Sequence, residues 1–86
     1  MNKLIDELAS SIGLDNNESK IYKHFFENKG KVLTYKNIKL AIWGSEYVTD
    51  SSVRYYVCTI RRKIGYAPNI EAGMIYTCRN GYMFKF

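Results

Sequence analysis

The segment from Thr49 to Gly65, TDSSVRYYVCTIRRKIG, constrains the fold more than any other part of the chain. Its aliphatic side chains recur at steps of four, three and four residues, at Val53, Val57, Ile60 and Ile64. This spacing places them on one side of an α-helix and predicts that this side is buried. Thr49 or Asp50 can cap the start of the helix, and Gly65 can end it.

The other side of this helix carries cationic and hydrogen-bonding side chains. They are Arg54, Tyr55, Cys58, Thr59, Arg61 and Arg62. Such side chains contact phosphates and base edges, and an α-helix fits the major groove. A helix with one apolar side and one side that contains Arg and Tyr favours a nucleic-acid-binding protein over a catalyst. The alternative is a basic face that is simply solvated.

Basic residues are concentrated in the middle of the chain. The net charge is +5, from 13 Lys and Arg against 8 Asp and Glu. Residues 31–66 hold seven of the bases and two of the acids, whereas residues 1–30 hold four bases and five acids. A basic middle of this kind indicates a polyanionic partner.

Several other classes of protein fit the composition poorly. No apolar run approaches the roughly 20 residues of a membrane span, and the first residues lack a signal-like apolar run. Cys58, Cys78 and the single histidine, His24, form neither a disulfide framework nor a zinc site. The chain has no glycine-rich phosphate loop and no nucleophile–base pair. We expect a cytoplasmic protein with reduced thiols and without catalytic residues, metal or cofactor.

Two helices are predicted in the first 30 residues. Asn2–Ile12 has apolar residues at helical spacing, and Gly13 can end it. Asp15 and Glu18 have the spacing of a capping box, which starts a second helix. The buried side of that helix consists of Ile21, Tyr22, Phe25 and Phe26. Gly30 can end it.

A third helix is predicted between Thr34, as N-cap, and Gly44, as the stop. Its apolar residues are Ile38, Ala41, Ile42 and Trp43. The short segment Ser45–Val48 connects it to the basic helix. The two helices therefore form a pair similar to a helix-turn-helix.

The pattern changes after Pro68. Met74–Phe86 is rich in β-branched and aromatic residues and contains Asn80-Gly81, a strong hairpin-turn sequence. The element order predicts an α+β fold, a winged helix-turn-helix with a three-helix core, an extra N-terminal helix and a C-terminal β-hairpin wing. We expect one domain over residues 1–86. Its N-terminal helix is 1–13, its helical core 14–66 with a recognition helix at about 50–64, and its wing 70–86.

The apolar faces lead to two packing predictions. The core should bring together Phe25, Trp43, Val57, Ile60 and Tyr82. The N-terminal stripe of Leu4, Ile5, Leu8 and Ile12 spans about three turns, too short to be a stable helix alone. It either covers the core of its own domain or meets its copy in a homodimer on DNA. We favour intramolecular packing for part of the stripe, because so small a domain needs the burial.

Several sequence motifs, taken in order, resemble the winged-helix effector domain of OmpR/PhoB-type response regulators. The matching pieces are Leu14-x-x-x-Glu18, Asn28-x-Gly30-x-Val32-Leu33-Thr34, Ile42-Trp43-Gly44, Asp50-x-x-Val53, Ile60-Arg61-Arg62-Lys63-Ile64, Thr77-x-Arg79 and Gly81-Tyr82. No single piece is specific, but their order from Leu14 to Phe86 is. The resemblance implies that the helix at 50–64 enters the major groove and that the hairpin around Asn80 lies over the minor groove.

The resemblance also implies which residues contact DNA. Base-facing positions fall on Arg54, Tyr55 and Thr59. Backbone-contacting positions fall on Ser51, Cys58, Arg61 and Arg62. Wing contacts fall on Thr77, Arg79 and Asn80, and Trp43 lies near the phosphate backbone. The segment Gly44–Val48 matches one that can touch RNA polymerase in the family. Lys36 is either a phosphate neighbour or a solubility charge.

Three features depart from the family pattern. The family domain starts with a small β-platform, where this sequence predicts a helix. No receiver domain with a phosphoacceptor Asp is recognisable in the sequence. The wing has one residue fewer before Tyr82. A two-residue turn at Asn80-Gly81 puts Arg79 and Tyr82 on the same face of the hairpin, whereas the family pattern has Tyr82 inward and Arg79 outward. The register of the wing therefore stays open.

The sequence thus predicts a domain that binds double-stranded DNA sequence-specifically. It would act as a transcriptional regulator of the OmpR/PhoB winged-helix type lacking a receiver domain. The alternative is a winged-helix module for protein–protein interaction, which binds an acidic partner such as a component of the transcription machinery.

Overall fold

The computed structural model describes residues 3–67 and 70–86, which form four helices and three strands. They are α1 (Lys3–Ser11), α2 (Asn16–Glu27), β1 (Val32–Thr34), α3 (Tyr35–Trp43), α4 (Asp50–Gly65), β2 (Met74–Cys78) and β3 (Gly81–Lys85). The predicted order of helices followed by a hairpin is confirmed. Asn2 and Pro68, where the sequence analysis placed a helix start and a change of pattern, lie outside the described residues.

The start of α2 is the capping box that the sequence predicts. The Glu18 backbone N–H donates to Asp15 Oδ1 at 2.9 Å, and the Asp15 backbone N–H donates to Glu18 Oε1 at 2.9 Å. Two backbone donors at the helix start are therefore satisfied by side chains that lie three residues apart.

The structure shows which of the predicted residues cap α3 and α4. Thr34 accepts a hydrogen bond from the Asn37 N–H at 3.1 Å, and Gly44 ends α3 in the left-handed conformation with a φ of 67°. Thr49, and not Asp50, caps α4 by accepting from the Ser52 N–H at 3.1 Å. Gly65 is still helical, and Tyr66 takes the C-cap position predicted one residue earlier.

The sheet contains a strand that the sequence analysis did not predict. The strand order is β1-β3-β2, with both pairs antiparallel, so β1 lies beside the hairpin. Leu33 of β1 pairs with Tyr82, and its side chain is buried. A run of three residues is too short to show an alternating pattern and becomes a strand by pairing with β3.

The hairpin turn lies one residue earlier than predicted. Cys78 pairs with Gly81, so the turn residues are Arg79 and Asn80, and the prediction of an Asn80-Gly81 turn is wrong. Gly81 serves a different purpose, because a Cβ there would collide with the backbone of Leu33. This register places Tyr82 in the core, with 3% of its surface exposed, and leaves Arg79 exposed at the turn.

The core lies between the four helices and one face of the sheet. Its largest fully buried side chains are Tyr22, Phe25, Phe84, Ile5, Ile21, Ile38, Ile60, Val53 and Val57. The Tyr22 hydroxyl donates to the Ala72 carbonyl at 2.7 Å. This bond satisfies the polar atom of a tyrosine that is otherwise surrounded by apolar groups.

Two predictions about α3 need correction. Trp43 is only partly buried and packs against the edge of the core, with its ring 5.6 Å from that of Tyr56, whereas the other four members of the predicted cluster are buried. Ala41, predicted on the apolar side, is exposed. The reason is that α3 covers the core mainly through Ile38, and its last turn extends past the edge.

The N-terminal helix packs on its own domain. Ile5, Ala9 and Ile12 are buried, and Leu8 is partly buried against the same core. Leu4 was predicted on the buried stripe but is 53% exposed, because it lies about a quarter turn from Ile5 around the helix. Most of the stripe therefore covers the domain's own core, as favoured above.

Candidate nucleic-acid interface

The exposed side of α4 carries a second stripe opposite the buried one. Its members are Ser51, Tyr55, Cys58 and Arg62, all exposed and again separated by four, three and four residues. The buried stripe of Val53, Val57 and Ile60 is at most 1% exposed. Since one side is sealed in the core, the helix presents a fixed set of side chains to a partner.

Arg54 borders this exposed stripe and is held in place by two neighbours. Its Nη2 donates to Ser51 Oγ at 3.2 Å, and its guanidinium lies over the Tyr35 ring, 6.0 Å from the centroid. Arg54 itself is exposed. A guanidinium stacked on an aromatic ring keeps its planar donors oriented, which is the requirement for a bidentate contact to a base.

The two adjacent tyrosines of α4 have different surroundings. Tyr55 is 63% exposed. Tyr56 is partly buried, and its hydroxyl accepts a hydrogen bond from Asn17 Nδ2 of α2 at 3.2 Å. The two rings contact edge to face at 5.4 Å. Tyr56 therefore supports the exposed ring of Tyr55.

Thr59 and Arg61 point away from the exposed stripe. Thr59 is half-buried, and its hydroxyl donates to the Tyr56 carbonyl at 2.9 Å. Arg61 donates from Nε and Nη2 to the Ile75 carbonyl of β2 at 3.1 and 3.0 Å, and from Nη2 to Thr77 Oγ1 at 2.7 Å. The structure thus places the guanidinium of Arg61 against the hairpin.

The opposite flank of α4 is attached to α2 by an ion pair. Lys63 Nζ lies 2.5 Å from Glu18 Oε1, and the Glu18 side chain is 4% exposed. Burial alone raises the pKa of Glu18, but the hydrogen bonds from Lys63 and from the Asp15 backbone outweigh it and hold the pKa below its usual value. This pair joins α4 to α2 on the flank that does not contact the hairpin.

A second ion pair joins α3 and α4. Lys39 Nζ lies 2.6 Å from Asp50 Oδ1. The pair neutralises the one acid of α4 and fixes the start of the helix. The positive charge on the exposed side of α4 therefore comes from Arg54 and Arg62 without an opposing acid on the same helix.

A tyrosine pair links the start of α3 to the sheet. The hydroxyls of Tyr35 and Tyr82 are 3.2 Å apart and their rings meet edge to face at 5.6 Å. Burial and the neighbouring Tyr35 raise the pKa of Tyr82 to about 12, so its hydroxyl stays protonated at physiological pH. Arg54 lies over one ring and Arg61 over the other. Tyr35 could not be predicted from the sequence, because its partner lies 47 positions away along the chain.

The remaining predicted contact residues lie at the hairpin and the flanks. Thr77, Arg79 and Asn80 are exposed, as is Lys36 on α3. Trp43 is partly buried under Tyr56. In the loop 44–48, the Tyr47 side chain is 94% exposed.

Other kinds of site find little support in the described part of the chain. Residues 3–67 and 70–86 contain no cluster of three His, Cys, Asp or Glu side chains that could hold a metal ion. Over the same ranges, none of the helices has the length and apolar character to cross a membrane. His24 is partly exposed on α2, and its Nε2 lies 3.3 Å from Asn37 Oδ1. Cys58 and Cys78 are free thiols.

The fold and the exposed basic helix define a winged helix-turn-helix domain. The chain belongs to the family described as "Transcriptional regulatory protein, C terminal", whose model matches residues 9–84. This is the OmpR/PhoB-type family of DNA-binding domains of transcription regulators, which are not enzymes. The resemblance found in the sequence is therefore confirmed.

Among solved structures, the chain is similar to the crystal structure of the DNA-binding domain of Bacillus subtilis CssR. The two are 28% identical and superpose with a TM-score of 0.72, over 86% of this chain and 80% of that chain. No curated protein matches the sequence significantly. The family match and the structural similarity together identify a DNA-binding domain of a transcription regulator.

Proposed function

We propose that this domain binds double-stranded DNA sequence-specifically, with α4 in the major groove and the hairpin tip over the neighbouring minor groove. The observation that carries the proposal is the exposed stripe of Ser51, Tyr55, Cys58 and Arg62 on a helix whose opposite side is sealed in the core. We also propose that the protein acts in the cytoplasm, as a bacterial-type regulator.

In this proposal, some side chains of α4 contact bases and others contact phosphates. Arg54 and Tyr55 contact base edges, since one is an oriented guanidinium and the other an exposed, supported ring. Ser51, Cys58 and Arg62 follow the phosphate backbone. Thr59 is a weaker candidate for base contact, because its hydroxyl already donates to a backbone carbonyl.

The hairpin and α3 supply the flanking contacts. Arg79 and Asn80 form the exposed turn, where an arginine side chain can enter the narrow minor groove. Lys36 is exposed near the start of α3 and adds positive charge beside the backbone. Thr77 and Trp43 lie closer to the body of the domain, and we propose that they contact phosphates at the edge of the interface.

The experiment is selection of bound duplexes from a random-sequence pool, followed by titration at several salt concentrations. We expect one enriched motif. We also expect log Kd to rise linearly with log salt concentration, with a slope of several units. Arg54→Ala should weaken binding to that motif by about 1–3 kcal/mol, with a smaller loss on a scrambled duplex.

The matched control is Lys23→Ala, which removes one positive charge from an exposed position of α2 and should leave the affinity nearly unchanged. A pool without an enriched motif would contradict sequence-specific binding. Tighter binding to an acidic polypeptide than to any duplex would favour a protein partner instead. An Arg54→Ala variant that keeps the wild-type preference would show that Arg54 does not contact bases.

A further inference from the structure

We propose that Arg61 is a positioning residue, which fixes the angle between the hairpin wing and α4 so that both reach DNA together. This inference rests on the proposed function, since it concerns how the two contacting elements are held. It differs from the expectation that Arg61 contacts the phosphate backbone.

The hydrogen-bond donors of Arg61 are directed at the hairpin. Nε and Nη2 both donate to the Ile75 carbonyl, at 3.1 and 3.0 Å, and Nη2 also donates to Thr77 Oγ1 at 2.7 Å. The guanidinium lies 5.4 Å from the centroid of the Tyr82 ring. One side chain of α4 therefore contacts both strands of the hairpin.

The place of β2 in the sheet gives this contact its importance. In the order β1-β3-β2, β2 has a neighbouring strand on one side only. Arg61 reaches β2 from α4 and adds a second attachment. Two N–H groups on one edge of a planar guanidinium can converge on a single carbonyl oxygen in a fixed direction, whereas the ammonium of a lysine has no such rigid pair of donors.

Two tyrosine rings connect the side chain of Arg61 to that of Arg54. Tyr82 lies against Tyr35 at the start of α3, and Tyr35 lies under Arg54. The side chains of Arg54, Tyr35, Tyr82 and Arg61 thus form a continuous row between the proposed base-reading side of α4 and the wing. Rigid support of this kind is what holds contacting groups at a productive geometry.

Loss of the Arg61 contact should release the wing without unfolding the domain. Tyr82 and Phe84 anchor β3 in the core, and β1 pairs with β3 independently of Arg61. Arg79 directly follows β2 and lies two residues beyond Thr77, which Arg61 contacts. A small shift of β2 therefore displaces Arg79, and the DNA contact of Arg79 is the one that should be lost.

The test is a double-mutant cycle on the full chain with the selected duplex. Arg61→Lys keeps the charge but removes the planar fork. We expect Arg61→Lys and Arg79→Ala each to weaken binding by about tenfold, and the double variant to be hardly weaker than either single variant. Because the proposal holds that Arg61→Lys loses the DNA contact of Arg79, its salt slope should fall to about that of Arg79→Ala, although its net charge is that of wild type.

The matched control is Arg62→Lys, one residue along the helix and exposed. Its effect should add to that of Arg79→Ala, as expected for two independent phosphate or base contacts. If Arg61→Lys does not fold, Thr77→Val removes one of the three hydrogen bonds of Arg61 and should show the same coupling to Arg79→Ala in a smaller amount.

Each outcome bears on one proposal. A wild-type chain that binds no duplex overturns the proposed function. A chain that binds its duplex but shows additive effects of Arg61→Lys and Arg79→Ala overturns the positioning role alone. So does an Arg61→Lys variant with wild-type affinity, or an Arg79→Ala variant without effect in a chain that binds DNA normally.

Discussion

At the scale of single residues, Glu18 has two structural roles in the domain. Its side chain accepts the Asp15 N–H to complete the capping box of α2, and it also pairs with Lys63 of α4. The carboxylate is buried, so its charge is tolerated only because these donors surround it. A carboxylate of α2 therefore also contacts α4 and joins the two helices.

This arrangement predicts a pH dependence of folding. The pKa of Glu18 is lower in the folded state than its usual value of 4.5, so the stability it contributes is present above pH 4.5 and is lost as the pH falls through the folded pKa. Thermal unfolding should show a drop in Tm below pH 4.5 that is smaller in Glu18→Gln. At neutral pH we expect Glu18→Gln to cost about 1–3 kcal/mol.

The control for this prediction is Asp6→Asn, which removes an exposed carboxylate from α1 and should leave the acid branch of the Tm profile as in wild type. An unchanged pH profile in Glu18→Gln would mean that the pair with Lys63 adds nothing to stability.

At the scale of elements, the close approach of β1 to β3 shapes the sheet. Gly81 pairs with Thr34, and the backbone of Leu33 occupies the space that a side chain at position 81 needs. The neighbouring strand, and not the turn, therefore requires a glycine here. The same contact fixes the register that buries Tyr82 and leaves Arg79 exposed.

We predict that Gly81→Ala destabilises the domain by at least about 2 kcal/mol, because the added Cβ meets backbone that cannot move aside without breaking the β1–β3 pairing. Gly65→Ala is the matched control. A Cβ at Gly65 meets nothing within 4 Å, and the residue is helical, so this change should be neutral or stabilise by up to about 1 kcal/mol. Denaturant unfolding of both variants measures the difference. Equal midpoints would show that β1 does not pack as closely as described.

At the scale of the whole molecule, α1 completes the core that the other helices and the sheet leave open. Its buried residues Ile5 and Ala9, with Ile12 just after its end, join the same cluster as Phe25 and Phe84. A domain of 86 residues has little apolar area to spare, so this helix is a needed part of the core. The apolar stripe of α1 is therefore largely unavailable as a dimer contact.

Two neighbouring residues of α1 provide a test of that conclusion. Ile5 is 1% exposed and Leu4 is 53% exposed. Ile5→Asp buries a charge without a partner and should largely unfold the domain, whereas Leu4→Asp should keep the wild-type Tm within a few degrees. Sedimentation gives the second measurement. If wild type is a dimer and Leu4→Asp is a monomer of equal stability, α1 acts as a dimer arm through its exposed side.

Local features of this protein were determined by the sequence itself. The capping box at Asp15 and Glu18, the Thr34 cap and the burial of Val53, Val57 and Ile60 follow from residues three or four positions apart and are as predicted, whereas Ile64, the last member of the predicted stripe, is only partly buried. Such short-range patterns determine local structure because their partners are brought together by helix geometry alone. The exposure of Tyr55 follows from the same periodicity.

Only the tertiary structure decided which elements pack against the apolar side of each helix. Periodicity shows which side of a helix is apolar, but it does not show which residues contact that side or how far along the helix those contacts extend. Trp43 and Leu4 therefore turned out more exposed than predicted. The short strand β1 forms because β3 lies beside it, and the turn follows from the approach of Leu33 to Gly81.

The contact of the Arg61 side chain with the hairpin was also decided by the tertiary structure. Its acceptors lie 14 and 16 positions along the chain, beyond the end of its own helix, so no local pattern separates it from Arg62. In the folded domain Arg61 lies beside β2, while Arg62, roughly 100° further around the helix, is exposed. The sequence by itself determined that α4 has a basic side, and the packing of the hairpin against α4 decided which of its arginines supports the fold and which is exposed.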